Sequence, residues 1–451
     1  MIILKRAGGS RRSHMKKSQN LENLWMPFSA NRSFKARPRL MNEAKGMYYK
    51  KVDETLVLDG TSGLWCCNAG HNHPKIVQAI QNQAGKLDYA PSFQMGHPLG
   101  FKAAEKLLSF SPSSDFQYVF FTNSGSESVD TALKIALGYQ QHRGKKDKTI
   151  LVGRERAYHG VGFGGISVGG LPLNKKHFSL LDNVDHVVTT HNLEKNAFSR
   201  GEPEWGCELA DDLYRIIEKY GADRIAAFIT EPLAGSTGVL IPPKGYLKKI
   251  REICTEHDIL LIFDEVITGF GRLGTPFASH YFDVIPDMIV CAKGLTSGTV
   301  PMGAVMVKKT IYDAHQDGDP KMIDLFHGYT YSAHPLAAAA LIATLEVYQE
   351  EGLFDQAAQM ASYWEDALHS LKGIDYVIDI RNLGFVGGVE MSIQDGKIGK
   401  RGYNVFEKAF HEENVLLRFT GDIIALSPPL IAKEDHVDQI IDSLRKIIPI
   451  Y

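Results

Sequence analysis

Met288-Ile289-Val290-Cys291-Ala292-Lys293-Gly294 is an apolar run that ends on a lysine, and upstream Ile259-Leu260-Leu261-Ile262-Phe263-Asp264-Glu265-Val266 is an apolar run that ends on acids. Such short apolar runs read as buried strands. Two parallel neighbours of this kind deliver an amine and a carboxylate into one crevice at their C-terminal ends. A lysine kept from water loses proton affinity and can form a Schiff base with a carbonyl. A carboxylate beside it can protonate a pyridine nitrogen and make that ring an electron sink. Taken alone, a lysine at a strand end is more often a solvated residue. The catalytic reading therefore depends on the other motifs.

Thr122-Asn123-Ser124-Gly125-Ser126-Glu127 follows the strand-like Tyr118–Phe121 and opens a helix predicted to run to about Tyr139. Small and hydroxyl residues there leave backbone N–H groups free at a positive helix end, which suits an anion. They equally suit a plain N-cap. No G-x-x-x-x-G-K-[ST] pattern supports a nucleotide phosphate loop. Gly160, Gly162 and Gly165 match G-x-G-x-x-G but do not open an amphipathic helix, so the segment to Gly170 reads as a flexible loop. Before it stand Tyr158 and His159, and a flat aromatic side chain there could stack on a planar cofactor or simply pack. Glu231-Pro232 closes another strand-like run, which adds Glu231 to the same edge as Asp264 and Lys293. Arg418, inside Val415-Leu416-Leu417-Arg418-Phe419, has either a structural partner or a carboxylate ligand. His71 and His73 lack an acidic or cysteine neighbour in sequence, so they read as loop residues and no metal site is expected.

A frame for these residues is legible between about 100 and 310. Strand-like Tyr118–Phe121, Thr149–Val152, Ile225–Thr230, Ile259–Phe263, Met288–Cys291 and Ala304–Val307 alternate with helical stretches such as Tyr246–His257. That alternation predicts an α/β fold with a central, mostly parallel sheet covered by helices on both faces. Short strands at Met47–Tyr49 and Thr55–Leu58 and a helix from Pro74 to about Leu87 precede it. An alanine-rich helix, Leu336 to Glu350, opens an α+β lobe. The expected division is a large domain over 76–330 and a smaller lobe built from 21–75 and 331–451. Residues 1–20 form a basic, disordered tail or added extension, with Met15 a candidate start.

Composition narrows the classes. The chain has 451 residues, 44% hydrophobic and 23% charged, which is ordinary for a globular protein of two lobes. Lys plus Arg is 50 against Asp plus Glu at 52, so no field draws it to nucleic acid or an acidic membrane. Five cysteines without a C-x-x-C pair argue against a disulfide scaffold and fit the reducing cytosol. No apolar run approaches the length of a membrane span.

Thr122–Glu127, Tyr158-His159-Gly160, Glu231-Pro232, Phe263-Asp264-Glu265-Val266-x-x-Gly269-Phe270-Gly271-Arg272, Ala292-Lys293-Gly294 and His327-Gly328-Tyr329-Thr330-Tyr331-Ser332 occur in one order. Together they resemble the class III (subgroup II) pyridoxal-phosphate aminotransferases of fold type I, the aspartate aminotransferase-like fold, from about Leu24 to Ile448. Leu24-Trp25-Met26-Pro27-Phe28 and Leu64-Trp65 look most like the ω-amino acid (β-alanine):pyruvate transaminases.

The resemblance implies roles by position. Lys293 holds pyridoxal 5′-phosphate and moves the substrate proton, and Asp264 pairs with the pyridine nitrogen. Tyr158 and Val266 flank the ring, with His159 and Glu231 nearby. Ser124, Gly125 and Ser126 hold the phosphate, joined by Thr330 from the second subunit of a homodimer. Trp65 and Tyr158 wall the substrate pocket, and Arg418 binds the carboxylate of a 2-oxo acid. Cys66-Cys67 beside Trp65 departs from the family pattern. The nearest alternative is diaminopelargonate synthase, whose relatives carry two adjacent tryptophans where this chain has Leu64-Trp65. The 4-aminobutyrate and acetylornithine transaminases fit the N-terminal motif less well. Racemases, aminomutases and decarboxylases on the same scaffold use the same lysine and aspartate. A transcription regulator on this scaffold needs a DNA-binding module that the short tail cannot supply.

Overall fold

The computed structural model describes residues 20–451, and the expected basic tail lies outside the described residues except for Asn20. After a short helix, Asn31–Ala36, come three short strands, β1 (Met41–Lys45), β2 (Tyr48–Lys51) and β3 (Leu56–Asp59), paired antiparallel. Leu58 and Asp59 also pair in parallel with Val415 and Leu416, so segments near both ends of the chain share one sheet.

The central sheet consists of β4 (Phe116–Thr122), β5 (Ile150–Arg154), β6 (Val184–Val187), β7 (Ile225–Thr230), β8 (Leu260–Asp264), β9 (Met288–Cys291) and β10 (Gly303–Lys308), in the order β4-β10-β9-β8-β7-β5-β6. From β9 across to β6 every pairing is parallel. β10 alone runs antiparallel to both of its neighbours. The link from Ala292 to Met302 carries only one short helical turn, and a parallel return needs a crossover of a dozen or more residues. Strands β7, β8 and β9 are buried along their whole length, because helices cover both faces of a parallel sheet. That double burial is why their sequences are unbroken apolar runs. Asp264 pairs with Val290, so β8 and β9 end side by side.

The four helices read from the sequence fall within a few residues of expectation, at Pro74–Ala84, Gly125–His142, Tyr246–Glu256 and Pro335–Glu350. The strand β6 has no clear sequence signal, since its edge position leaves Asp185 and His186 only half-buried. Four further strands, β11 (Val377–Leu383), β12 (Val386–Met391), β14 (Arg418–Thr420) and β15 (Ile423–Leu426), form an antiparallel sheet; β13 is the Val415–Leu416 pair already described.

Two expectations need correction. The glycine-rich segment after His159 contains a short helix, Phe163–Val168. Its glycines serve close packing. A Cβ at Gly160 (φ +82°) would lie 2.5 Å from the Ser126 hydroxyl, and the Gly165 N–H donates to Asp130 Oδ1 at 2.8 Å. His71 and His73 do have acidic partners, but distant ones: Nε2 of each lies 2.7 Å from a carboxylate, Asp59 and Glu351 respectively. Tertiary contact supplied what local sequence lacked.

Candidate active site

Strand ends set the floor of one crevice. Helix Gly125–His142 begins immediately beyond β4. Its N-cap Ser124 accepts the Glu127 N–H at 3.1 Å, while the Glu127 carboxylate accepts the Asn123 N–H at 2.7 Å. Together the two bonds cap the start of the helix. The Ser124 side chain is engaged in this cap, and the cavity lining begins at the next residue, Gly125. Gly125 and Ser126 do line it, and first-turn N–H groups have no intrahelical acceptor. A Cβ on Gly125 would meet both Val266 methyls at 3.0 Å, so a larger residue there would press on the Val266 side chain.

Asp264 ends β8, 6% exposed. Its Oδ1 accepts the Val266 N–H at 3.1 Å, and its Oδ2 sits 2.8 Å from His159 Nδ1. The His159 ring is buried and its Nε2 has no partner among the described residues. Glu231, one residue past β7, accepts the Tyr158 N–H at 2.9 Å. Burial raises its carboxyl above the usual range, and the charge of Asp264 adds to the effect.

Lys293 lies just beyond β9 at φ +48°, a left-handed conformation that costs a non-glycine residue about 1–2 kcal/mol. It starts a tight turn, and a Cβ at the next residue, Gly294, would lie 2.6 Å from Asn68 Nδ2. Its amine makes no salt bridge among the described residues. Burial, reinforced by the positive charge of Arg418, lowers its pKa to about 8. Arg418 begins β14 across the cavity. Burial lowers its pKa as well, and its Nε is without a partner among the described residues.

These groups surround a cavity of about 400 Å³, a volume suited to a small ligand. Trp65, Gly125, Ser126, Tyr158, His159, Glu231, Asp264, Val266, Lys293 and Arg418 all line it. Thr330 does not; it is exposed elsewhere on the chain, with its carbonyl accepting the Tyr89 hydroxyl at 3.0 Å. Leu171, Asn174, Ser236 and Thr420 line the cavity without having been singled out from sequence. Thr420 had a usable signal, two residues from Arg418 on the same strand face. Leu171 and Asn174 had none, since chain folding alone brings them there.

The class III aminotransferase family model matches residues 29–448. The chain belongs to the class III aminotransferases. It is 57% identical over 432 residues to an omega-aminotransferase of Caulobacter vibrioides, covering 96% of this chain and 98% of that one. It is 45% identical to a beta-alanine–pyruvate aminotransferase of Pseudomonas aeruginosa, covering 94% and 95%. The fold superposes on the omega transaminase of Pseudomonas jessenii in complex with PMP with a TM-score of 0.89, at 31% identity, covering 95% of this chain and 98% of that one.

Aminotransferases of this class depend on pyridoxal phosphate, and the cavity of this aminotransferase has the matching chemistry. Free N–H groups at a helix start suit the phosphate. A buried carboxylate suits a protonated ring nitrogen. A buried amine without an ion pair suits the aldehyde. No helix of the described chain is long and apolar enough to cross a membrane.

Proposed function

We propose that this aminotransferase moves an amino group from β-alanine, other ω-amino acids or simple primary amines to pyruvate. The observation that carries the proposal is Arg418, a guanidinium half-buried in the cavity with its Nε unpartnered and no carboxylate of the protein paired with it among the described residues. Such a group recognises a carboxylate by a two-point hydrogen bond. Its place on β14, at an edge of its sheet, lets the side chain leave when a neutral amine enters.

Pyridoxal phosphate, when bound, supplies a ring that accepts the electron pair left as a proton leaves the substrate carbon. Lys293 Nζ carries that proton. An amine whose pKa is near 8 both takes up and returns a proton close to neutral pH. Asp264 keeps a proton on the ring nitrogen, with His159 fixing the orientation of its Oδ2. The N–H groups of Gly125 and Ser126 bind phosphate, Tyr158 and Val266 border the ring, and Trp65 limits the size of the substrate. Glu231 orders the region of the ring hydroxyl or offsets the charge of Arg418.

The cofactor site is read as complete only in a homodimer, with Thr330 of the partner subunit reaching the phosphate. Exposed Phe93, Phe326 and Tyr331 around the Thr330 loop support this, being apolar surface that a second copy would cover. Light scattering should give a dimer, and Thr330→Ala should weaken cofactor binding. The two lobes divide as 76–330 against 21–75 with 331–451, and the cytosol is the proposed compartment.

One assay separates the substrates. Purified enzyme with pyruvate is given β-alanine, 1-phenylethylamine, 4-aminobutyrate or S-adenosylmethionine, and alanine is measured. β-Alanine and the amine should lead. Turnover restricted to S-adenosylmethionine with 7-keto-8-aminopelargonate would overturn the proposal in favour of diaminopelargonate synthesis.

A further inference from the structure

Cys66 and Cys67 directly follow Trp65, and the mechanism uses neither. Their sulfurs lie 3.8 Å apart in hydrogen-bonding contact. The Tyr49 hydroxyl and the Cys67 sulfur both crowd Gly63, where a Cβ would meet them at 3.0 Å and 3.3 Å. Gly298 (φ +70°) closes over both: a Cβ there would come within 3.0 Å of Cys66 Sγ and 3.2 Å of Cys67 Sγ. Cys67 also lines an open groove of about 750 Å³ with Gly70, His71 and Ser297, on a side of the pair separate from the catalytic cavity. Small solutes can therefore approach the pair from the Cys67 side without entering the substrate pocket. The Cys67 hydrogen bond lowers the proton affinity of Cys66, and the charge of Lys293 adds to it. Cys254 and Cys291 differ: both are fully buried and their thiols are pushed up, as expected of inert cysteines.

We propose that Cys66 and Cys67 are a site of reversible oxidation by hydroperoxides, closing a disulfide between adjacent residues that displaces the Trp65 wall and lowers turnover. The Cys66 thiolate attacks one peroxide oxygen, the O–O bond breaks, and hydroxide leaves to take up a proton. The Cys67 sulfur then attacks the sulfenic sulfur of Cys66 and loses its proton, while the sulfenic oxygen departs as water. In sum, two thiols and one hydrogen peroxide yield one disulfide and two waters; sulfur is oxidised and peroxide oxygen reduced. Bond formation draws the sulfurs from 3.8 Å to about 2.05 Å. Adjacent α-carbons are only about 3.8 Å apart, less than the usual disulfide span of about 4.4–6.8 Å. The product is strained and correspondingly easy to reduce, which suits a switch better than a structural bond. Its strain falls on the backbone next to Trp65, already at φ +67°.

The effect on turnover rests on the reading of Trp65 as a pocket wall, whereas the disulfide itself does not. Holoenzyme is treated with hydrogen peroxide, quenched and digested. The peptide containing both cysteines should lose two hydrogens, and free thiols in the denatured chain should fall from five to three, five less the two that pair. Activity should fall about tenfold or more, since a misplacement of about 1 Å can cost on the order of a hundredfold. Dithiothreitol should restore it. Cys66→Ser should lose the dithiothreitol-reversible component, whereas Cys67→Ser should stop at a sulfenic acid on Cys66, seen as a gain of one oxygen in place of the loss of two hydrogens. Sulfinic acid on one cysteine in the unaltered protein, a bridge to another chain, or reversible inactivation persisting in Cys66→Ser would overturn the site. A disulfide formed with activity unchanged would overturn the switch. Failure of the donor panel would leave the thiol count and peptide mass unaffected, so the two readings fail separately.

Discussion

Replacing Arg418 with alanine tests the dual-substrate reading most directly. A hydrogen bond to a charged group contributes about 1.5–3 kcal/mol, and each 1.4 kcal/mol is about tenfold. Losing the Arg418–carboxylate contact should therefore raise the pyruvate KM about tenfold to 150-fold. Oxidation of a neutral amine makes no use of the guanidinium, so that half-reaction, followed by the cofactor spectrum in a single turnover, should change by less than about threefold. Arg418→Lys keeps the charge but loses the planar two-point fork, and should fall between alanine and wild type. A second readout needs no catalysis. Arg418 helps hold the Lys293 pKa near 8, so in the apo-protein Arg418→Ala should move the onset of Lys293 reductive alkylation to higher pH. A pyruvate KM within twofold of wild type, or equal losses in both half-reactions, would refute the assignment.

Further outcomes follow from the same geometry. Borohydride reduction of the holoenzyme should attach the cofactor irreversibly to Lys293, and peptide mapping that finds Lys293 unmodified in fully active protein would remove its role. Asp264→Asn should retain part of the cofactor binding yet lose about a hundredfold or more in turnover, checked by steady-state kinetics at saturating cofactor. Buried Glu265 accepts from the Thr268 hydroxyl and from the Ala278 and Ser279 N–H groups, and burial lifts its pKa from 4.5 to about 7. Between these values the folded state binds more protons than the unfolded one. Its contribution therefore falls as pH rises from 4.5 to about 7 and levels off above that. Glu265→Gln should flatten this part of the denaturation-midpoint profile of the apo-protein, and an unchanged slope would assign the titration elsewhere.

Sequence by itself determined the elements buried on both sides. β7, β8 and β9 carry unbroken apolar runs because helices cover both sheet faces, and each run delivers a residue of distinct chemistry at its end: Glu231, Asp264 and Lys293. The order of the motifs around them identified the family before any distance was known. Tertiary structure alone decided what depends on segments far apart in the chain. It turned the glycines after His159 from a loop into a packing surface against Asp130 and Ser126. It gave His71 and His73 carboxylate partners that lie distant in sequence, and it reversed β10 within an otherwise parallel sheet. Above all it set the proton affinity of Lys293. That affinity comes from burial and from Arg418, 125 positions away in sequence (418 less 293), and no local pattern of residues encodes a charge brought close by folding.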